Sequence, residues 1–239
     1  DNTADVNPAK VFKDIAGDYN FEGGTSIRLD KDGITVNDSS GTRSLAYPSN
    51  GVIYVRGDLK ISGQYSKSLS IFAENNITVT DNITYINFSG STEFDGYSGA
   101  APDNTLLGLA AGRDIELQCN QESSGRCKPL NIVGVLNARN GKIMNTRWNN
   151  SPVGPVLPEV TIYGSIISQV QPIFGSYRAS SNGKLTDGWS KRLRYDSRLA
   201  TIQPPYFFRT TQSSIIRSII NQGICFNSMC GDTDTWNGP

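Results

Sequence analysis

The sequence predicts an all-β (mainly β) domain: a short β-solenoid, or β-helix-like stack, of strand-corner-strand units closed by an irregular C-terminal cap. Three observations lead there. An apolar alternation broken by a short polar corner recurs along the chain. Gly, Asn and Asp occupy the corners, where they tolerate positive φ. One apolar face per strand points the same way on both sides of each corner, and a single unit cannot bury that face alone.

The units run as follows. Ile53-Tyr54-Val55 leads through Arg56-Gly57-Asp58 to Leu59-Lys60-Ile61. Ile71-Phe72-Ala73 leads through Glu74-Asn75-Asn76 to Ile77-Thr78-Val79. Leu109-Ala110-Ala111 leads through Gly112-Arg113-Asp114 to Ile115-Glu116-Leu117. A looser copy spans Ile27-Arg28-Leu29 and Ile34-Thr35-Val36, around Asp30 to Gly33. Two degenerate copies are expected at Asn131 to Met144 and Val160 to Ile167. An antiparallel sandwich is the alternative; the return of the corner residues together with the alternation favours the stack.

The organisation that follows is a lead-in over residues 1–24 and a β-solenoid-like domain over 25–170. The latter carries an extruded polar loop at 87–104 and a disulfide loop at 119–127. A basic-aromatic cap fills 171–239, with Pro152, Pro155 and Pro158 before it marking a break.

Composition narrows the function. The chain has 239 residues and no histidine. That excludes Ser-His-Asp and Cys-His nucleophiles, His-ligated zinc and an unperturbed proton shuttle near neutrality. The formal charge is zero, but residues 1–125 hold nine basic and seventeen acidic groups, and residues 126–239 hold thirteen and five. Cys119 and Cys127 form one close pair, Cys225 and Cys230 another. Local disulfides are the preferred reading over zinc, although four cysteines allow three connectivities. Disulfides point to an oxidising, exported setting. The polar opening Asp1-Asn2-Thr3 carries no signal peptide. The expectation is a soluble piece of a longer, anchored chain.

Gly51 to Gly63, Leu69 to Thr80, Leu107 to Ile115, Leu136 to Gly141 and Val160 to Ile166 together resemble the rungs of a known family. The likeness ends at Tyr195-Asp196-Ser197-Arg198-Leu199 and Pro204-Pro205-Tyr206-Phe207. This series is similar to the solenoid-type ectodomain of large minor pilins, bacterial type IV pilus assembly proteins related to the minor pilins of competence pili. The resemblance implies a non-enzymatic, extracellular, cell-surface component at or near a pilus tip. Its partners would be other pilins, with extracellular DNA or a host or surface ligand in addition. Membrane contact would run only through an N-terminal helix that this chain lacks.

Three further chemistries arise from the residues. Arg178, Lys184, Lys191, Arg192, Arg194, Arg198, Arg209 and Arg217 cluster along the sequence with Trp189 and other aromatics. Basic groups release counterions from phosphates and aromatic faces stack on bases, so this segment is the candidate site for a DNA receptor in natural transformation. The preferred alternative is a structural cap whose arginines pair with the acidic N-terminal half and whose aromatics fill the cap core. A polysaccharide-active β-helix enzyme would draw on corner acids such as Asp58, Glu74 and Asp114, but corner acids are also ordinary turn formers. No catalytic residue is assigned. No cofactor is expected: Asp30-Lys31-Asp32-Gly33 and Asp232-Thr233-Asp234 offer spaced carboxylates to calcium, and neither completes an EF-hand loop. Arg56-Gly57-Asp58 spells an integrin tripeptide, and Asn76, Asn82 and Asn87 begin glycosylation sequons. Turn chemistry accounts for the first, and the second would carry no weight in a member of the bacterial family that the chain resembles.

Overall fold

A computed structural model describes residues 8–86, 105–121, 127–145, 157–177 and 185–207. The chain divides into a unit of Asp1–Phe207 and a unit of Phe208–Pro239, and the described residues all belong to the first. They are mainly β, with one short helix, α1 (Pro8–Ala16).

Three parallel ladders organise the strands. The first joins β1 (Asn20–Glu22), β5 (Val52–Arg56), β7 (Leu69–Ala73) and β9 (Leu107–Ala111) to the C-terminal half of β11 (Leu130–Ala138), then to that of β13 (Leu157–Ser168). The second joins the start of β2 (Thr25–Asp30) to the starts of β6 (Leu59–Tyr65) and β8 (Ile77–Tyr85), then β10 (Ile115–Leu117) and β12 (Ile143–Asn145). The third uses the ends of β2, β6 and β8, the first halves of β11 and β13, and β15 (Leu185–Tyr195). The chain visits the ladders in the same order each time.

Matching positions pair with one another. Ile53 lies beside Ile71, Ile71 beside Leu109, and Leu109 beside Leu136. Leu59, Ile77, Ile115 and Ile143 form the equivalent row of the second ladder. All eight are fully buried. Each unit presents β-branched or Leu side chains to the one beneath, so a row excludes water that a lone unit would admit. Burial of one such side chain contributes about 1.5–3 kcal/mol.

Only the junction between first and second ladders keeps nearly constant length. Its corners are Glu22-Gly23-Gly24, Arg56-Gly57-Asp58, Glu74-Asn75-Asn76, Gly112-Arg113-Asp114 and the one-residue-longer Arg139-Asn140-Gly141-Lys142. Long insertions enter only at the other junctions. The segment 87–104 read as an extruded loop lies outside the described residues, as do 122–126 at the tip of the disulfide loop.

Two readings of the units need correction. Ile27 to Val36 is not a strand-corner-strand copy. β3 (Gly33–Asp38) turns back on β2 in antiparallel register, Asp30 opposite Gly33, and β4 (Gly41–Ala46) adds a third antiparallel strand. The first true corner lies upstream at Gly23-Gly24, inside the segment read as a lead-in: Phe21 pairs with Val55, and Ile27 with Ile61. At the other end, β15 carries the third ladder past the boundary expected at residue 170. β14 (Gly175–Tyr177) pairs with its first residues in antiparallel fashion.

The outer face of the first ladder is covered. Phe12 of α1 stacks on Phe72 at 5.3 Å, and Phe72 stacks on Tyr54 at 6.0 Å. Further along, the ring of Phe207 lies where a side chain at Gly108 would have to go, and Pro205 lies against Gly51. This cover makes β5, β7 and β9 buried on both faces, so they read as nearly continuous apolar runs. Aromatic rings topped by a cation close the core at each extreme. The Arg43 guanidinium sits 5.4 Å from the Phe21 ring centroid, and the Lys191 ammonium 5.6 Å from that of Phe174.

Candidate functional site

Among the described residues, the basic groups of this segment do not share one face. β15 alternates, so Lys191, Leu193 and Tyr195 fall in register with the core-facing Val160, Ile162 and Gly164, while Arg192 and Arg194 follow Thr161 and Tyr163 on the opposite face. Arg192 Nε lies 3.1 Å from Glu159 Oε1. Trp189 is fully buried in the core, and this corrects its reading as a surface ring for base stacking. Arg178, Lys184 and Arg209 lie outside the described residues, as does Arg217.

Arg198 belongs to a clamp. Asp196, buried at 2% exposure, accepts from the Arg198 backbone N–H at 3.0 Å, from Nε at 3.0 Å and from Nη2 at 2.7 Å. The same guanidinium reaches the Thr105 carbonyl at 3.4 Å. The Tyr-Asp-x-Arg step thus starts a short 3-10 turn at Ser197–Ala200 and ties it to the strand entering the first ladder. The ion pairs Lys10–Asp14, Arg28–Asp30, Arg43–Asp38, Arg56–Glu22, Arg192–Glu159 and Arg198–Asp196 each join groups of the same half, on one helix, strand or turn or on neighbouring strands.

The corners carry a second arrangement. Asp58 Oδ1 accepts from the backbone N–H of Asn76 at 3.0 Å, Asn76 Oδ1 from that of Asp114 at 3.1 Å, and Asp114 Oδ1 from that of Lys142 at 2.8 Å. Each side chain satisfies a donor of the next unit that the strands cannot reach. This places the corner acids in structural use. Glu74 accepts from the Tyr54 hydroxyl, and burial together with that bond holds the Tyr54 phenol well above its ordinary pKa. On the outer face of the second ladder, burial raises the Glu116 carboxyl above the usual carboxylate range. The charges of Asp114 and Asp58 add to the rise, and a hydrogen bond with Thr78 opposes it.

A cleft of about 630 Å³ opens beside these corners, lined by Glu74, Asn75, Arg113, Asp114, Arg139 and Asn140, with Gly112 also on its wall, and with Ala9 of α1 and Phe72. The sequence reading singled out Glu74 and Asp114 but missed Arg113, Arg139 and Asn140. The signal was present in the repeat: Arg113 and Asn140 follow Asn75 at the second position of successive corners, and Arg139 follows Glu74 and Gly112 at the first.

The remaining candidates have local explanations. Asp58 of Arg56-Gly57-Asp58 serves the ladder. Asn76 and Asn82 use their side-chain oxygens on the N–H groups of Asp114 and Asn131. Asn87 and Asp232 to Asp234 lie outside the described residues. The Asp30 carboxylate accepts from Thr35 and pairs with Arg28, and among the described residues no cluster of three or more His, Cys, Asp or Glu is placed to hold a metal. Cys119 and Cys127 are joined, with Cα atoms 5.3 Å apart; Cys225 and Cys230 lie outside the described residues. No described helix is long and apolar enough to cross a membrane. No protein family, curated protein or solved structure matches the chain.

Proposed function

We propose that the chain is a short three-faced β-solenoid serving as the non-enzymatic ectodomain of a minor pilin, a structural and adhesive component at or near the tip of a type IV pilus. The observation that carries the reading is the packing role of the residues most specific to the pilin resemblance. Asp196 and Arg198 form the clamp on Thr105, and Pro205 and Phe207 lie on Gly51 and Gly108 of the first ladder. A motif that fastens a chain to its own stack is what a display scaffold requires, and a catalytic motif would leave such groups open to substrate. The Cys119–Cys127 bond suits an exported protein. Use of Asp58 and Asp114 as backbone acceptors argues against an acid/base pair on the corners.

The test is made in the native cell with the complete gene product. Sheared surface fibres are blotted and examined by immunogold labelling. Recovery with the fibres and label at fibre ends is expected. A product absent from the sheared fraction while pili are present overturns the reading.

A further inference from the structure

Two arginines in the corner cleft differ from five of the others described. Arg28, Arg43, Arg56, Arg192 and Arg198 each face a carboxylate. Among the described residues, Arg113 and Arg139 face none, although both line a cleft that also contains Glu74 and Asp114. Those carboxylates are held by other donors, Glu74 by the Tyr54 hydroxyl and Asp114 by the Lys142 N–H. Gly112, in register between Glu74 and Arg139, contributes no side chain to the gap. Arg113 and Arg139, both exposed, therefore line the cleft with no carboxylate partner among the described residues, beside Asn75 and Asn140.

We propose that this cleft binds a uronate-bearing glycan. A guanidinium grips a carboxylate with paired hydrogen bonds. Carboxylate oxygens accept from the hydroxyls of the same sugar, and the Asn amides both donate to them and accept from them. Asn75, Arg113 and Asn140 stand at the same position of successive corners, held by backbone bonds such as Arg113 N–H to the Asn75 carbonyl at 3.0 Å. Successive units are spaced by about 4.8 Å, close to the length of one sugar residue, so neighbouring corners meet neighbouring residues of an extended glycan. A nucleic acid fits less well. Phe72, the one ring on the cleft wall among the described residues, is only 3% exposed and offers no face for a base to stack on. The site gives the adhesive reading a ligand class and rests on that reading only for its setting. Binding is measured on the purified chain and fibre location in cells, so the two failures are distinguishable.

The experiment is calorimetric titration of the intact chain with trigalacturonate, its methyl-esterified form and inorganic phosphate at low and moderate salt. Saturable binding of the free acid is expected, with little for the ester. Arg113→Gln and Arg139→Gln should each weaken it by about tenfold, the energy of a charge-assisted hydrogen bond, with an unchanged unfolding midpoint. Arg28→Gln serves as a control and should leave binding intact. Equal binding of acid and ester, competition by phosphate at the same concentration, unchanged affinity in both variants, or no binding at millimolar glycan would each overturn the proposal.

Discussion

Asp58, Asn76 and Asp114 each commit one side-chain oxygen to a backbone N–H of the following corner, and this fixes what their carboxyl and amide groups are for. The role needs an acceptor and no charge. Asp114→Asn should therefore leave stability within about 0.5 kcal/mol, while Asp114→Ala, which strands the Lys142 N–H, should cost about 1–2 kcal/mol in urea unfolding. A large loss in the Asn variant would contradict the ladder. Glu116 makes a pH-dependent prediction. Burial, first, and then the charges of Asp114 and Asp58 raise its pKa in the folded protein, so the native state holds this proton more tightly than the unfolded chain. The penalty is absent at low pH and develops as pH rises from the ordinary glutamate range through the raised value. Glu116→Gln should raise the melting temperature at pH 7 and change it little at pH 3; equal shifts at both would contradict the assignment. Gly63 shows a backbone requirement. Its φ is +110°, and a Cβ there would meet the Leu29 carbonyl oxygen at 2.2 Å, so the bend of β6 between second and third ladders requires glycine at this position.

At the scale of elements, helix α1 is seated by buried Phe12 and Ala16 and by the Asn50 amide, which donates to the Ile15 carbonyl at 2.7 Å. Phe12 is 1% exposed and stacks on Phe72, which covers Tyr54 in turn. A nine-residue helix is marginal in isolation, so docking stabilises it. Phe12→Ala should cost about 3–4 kcal/mol by chemical unfolding, and a cost below about 1 kcal/mol would mean the helix is not seated there. The strand units were legible in the sequence because in-register parallel stacking sets like residue against like: Ile53 on Ile71, Ile77 on Ile115. The N-terminal unit was misread for a physical reason. Ile27-Arg28-Leu29 and Ile34-Thr35-Val36 alternate as the other units do, but Lys31-Asp32 forms a two-residue turn that reverses the chain instead of bending it. The true first corner was hidden because Asn20-Phe21-Glu22 has one apolar residue and a buried Thr25 stands where later units have Leu or Ile.

For the whole molecule, the described part of the charge cluster read in the sequence is split between two faces. Lys191, Arg192 and Arg194 are adjacent in the chain, yet the two-residue period of a strand sends Lys191 towards Phe174 and the arginines to the opposite face. The cleft shows the reverse. Glu74, Arg113 and Arg139 lie on three separate corners and meet only because the ladders are in register. Registers of this kind follow from which units stack, and the sequence leaves that open wherever loops of unequal length intervene. Stacking in register is therefore the central claim, since the solenoid reading, the corner ladder and the glycan site all depend on it. The direct measurement is a methyl NOESY spectrum of the chain labelled at Ile, Leu and Val. The account predicts an unbroken series of contacts from Leu59 to Ile77, Ile115 and Ile143, and a second from Ile53 to Ile71, Leu109 and Leu136. A spectrum in which Ile77 contacts neither Leu59 nor Ile115 would contradict it.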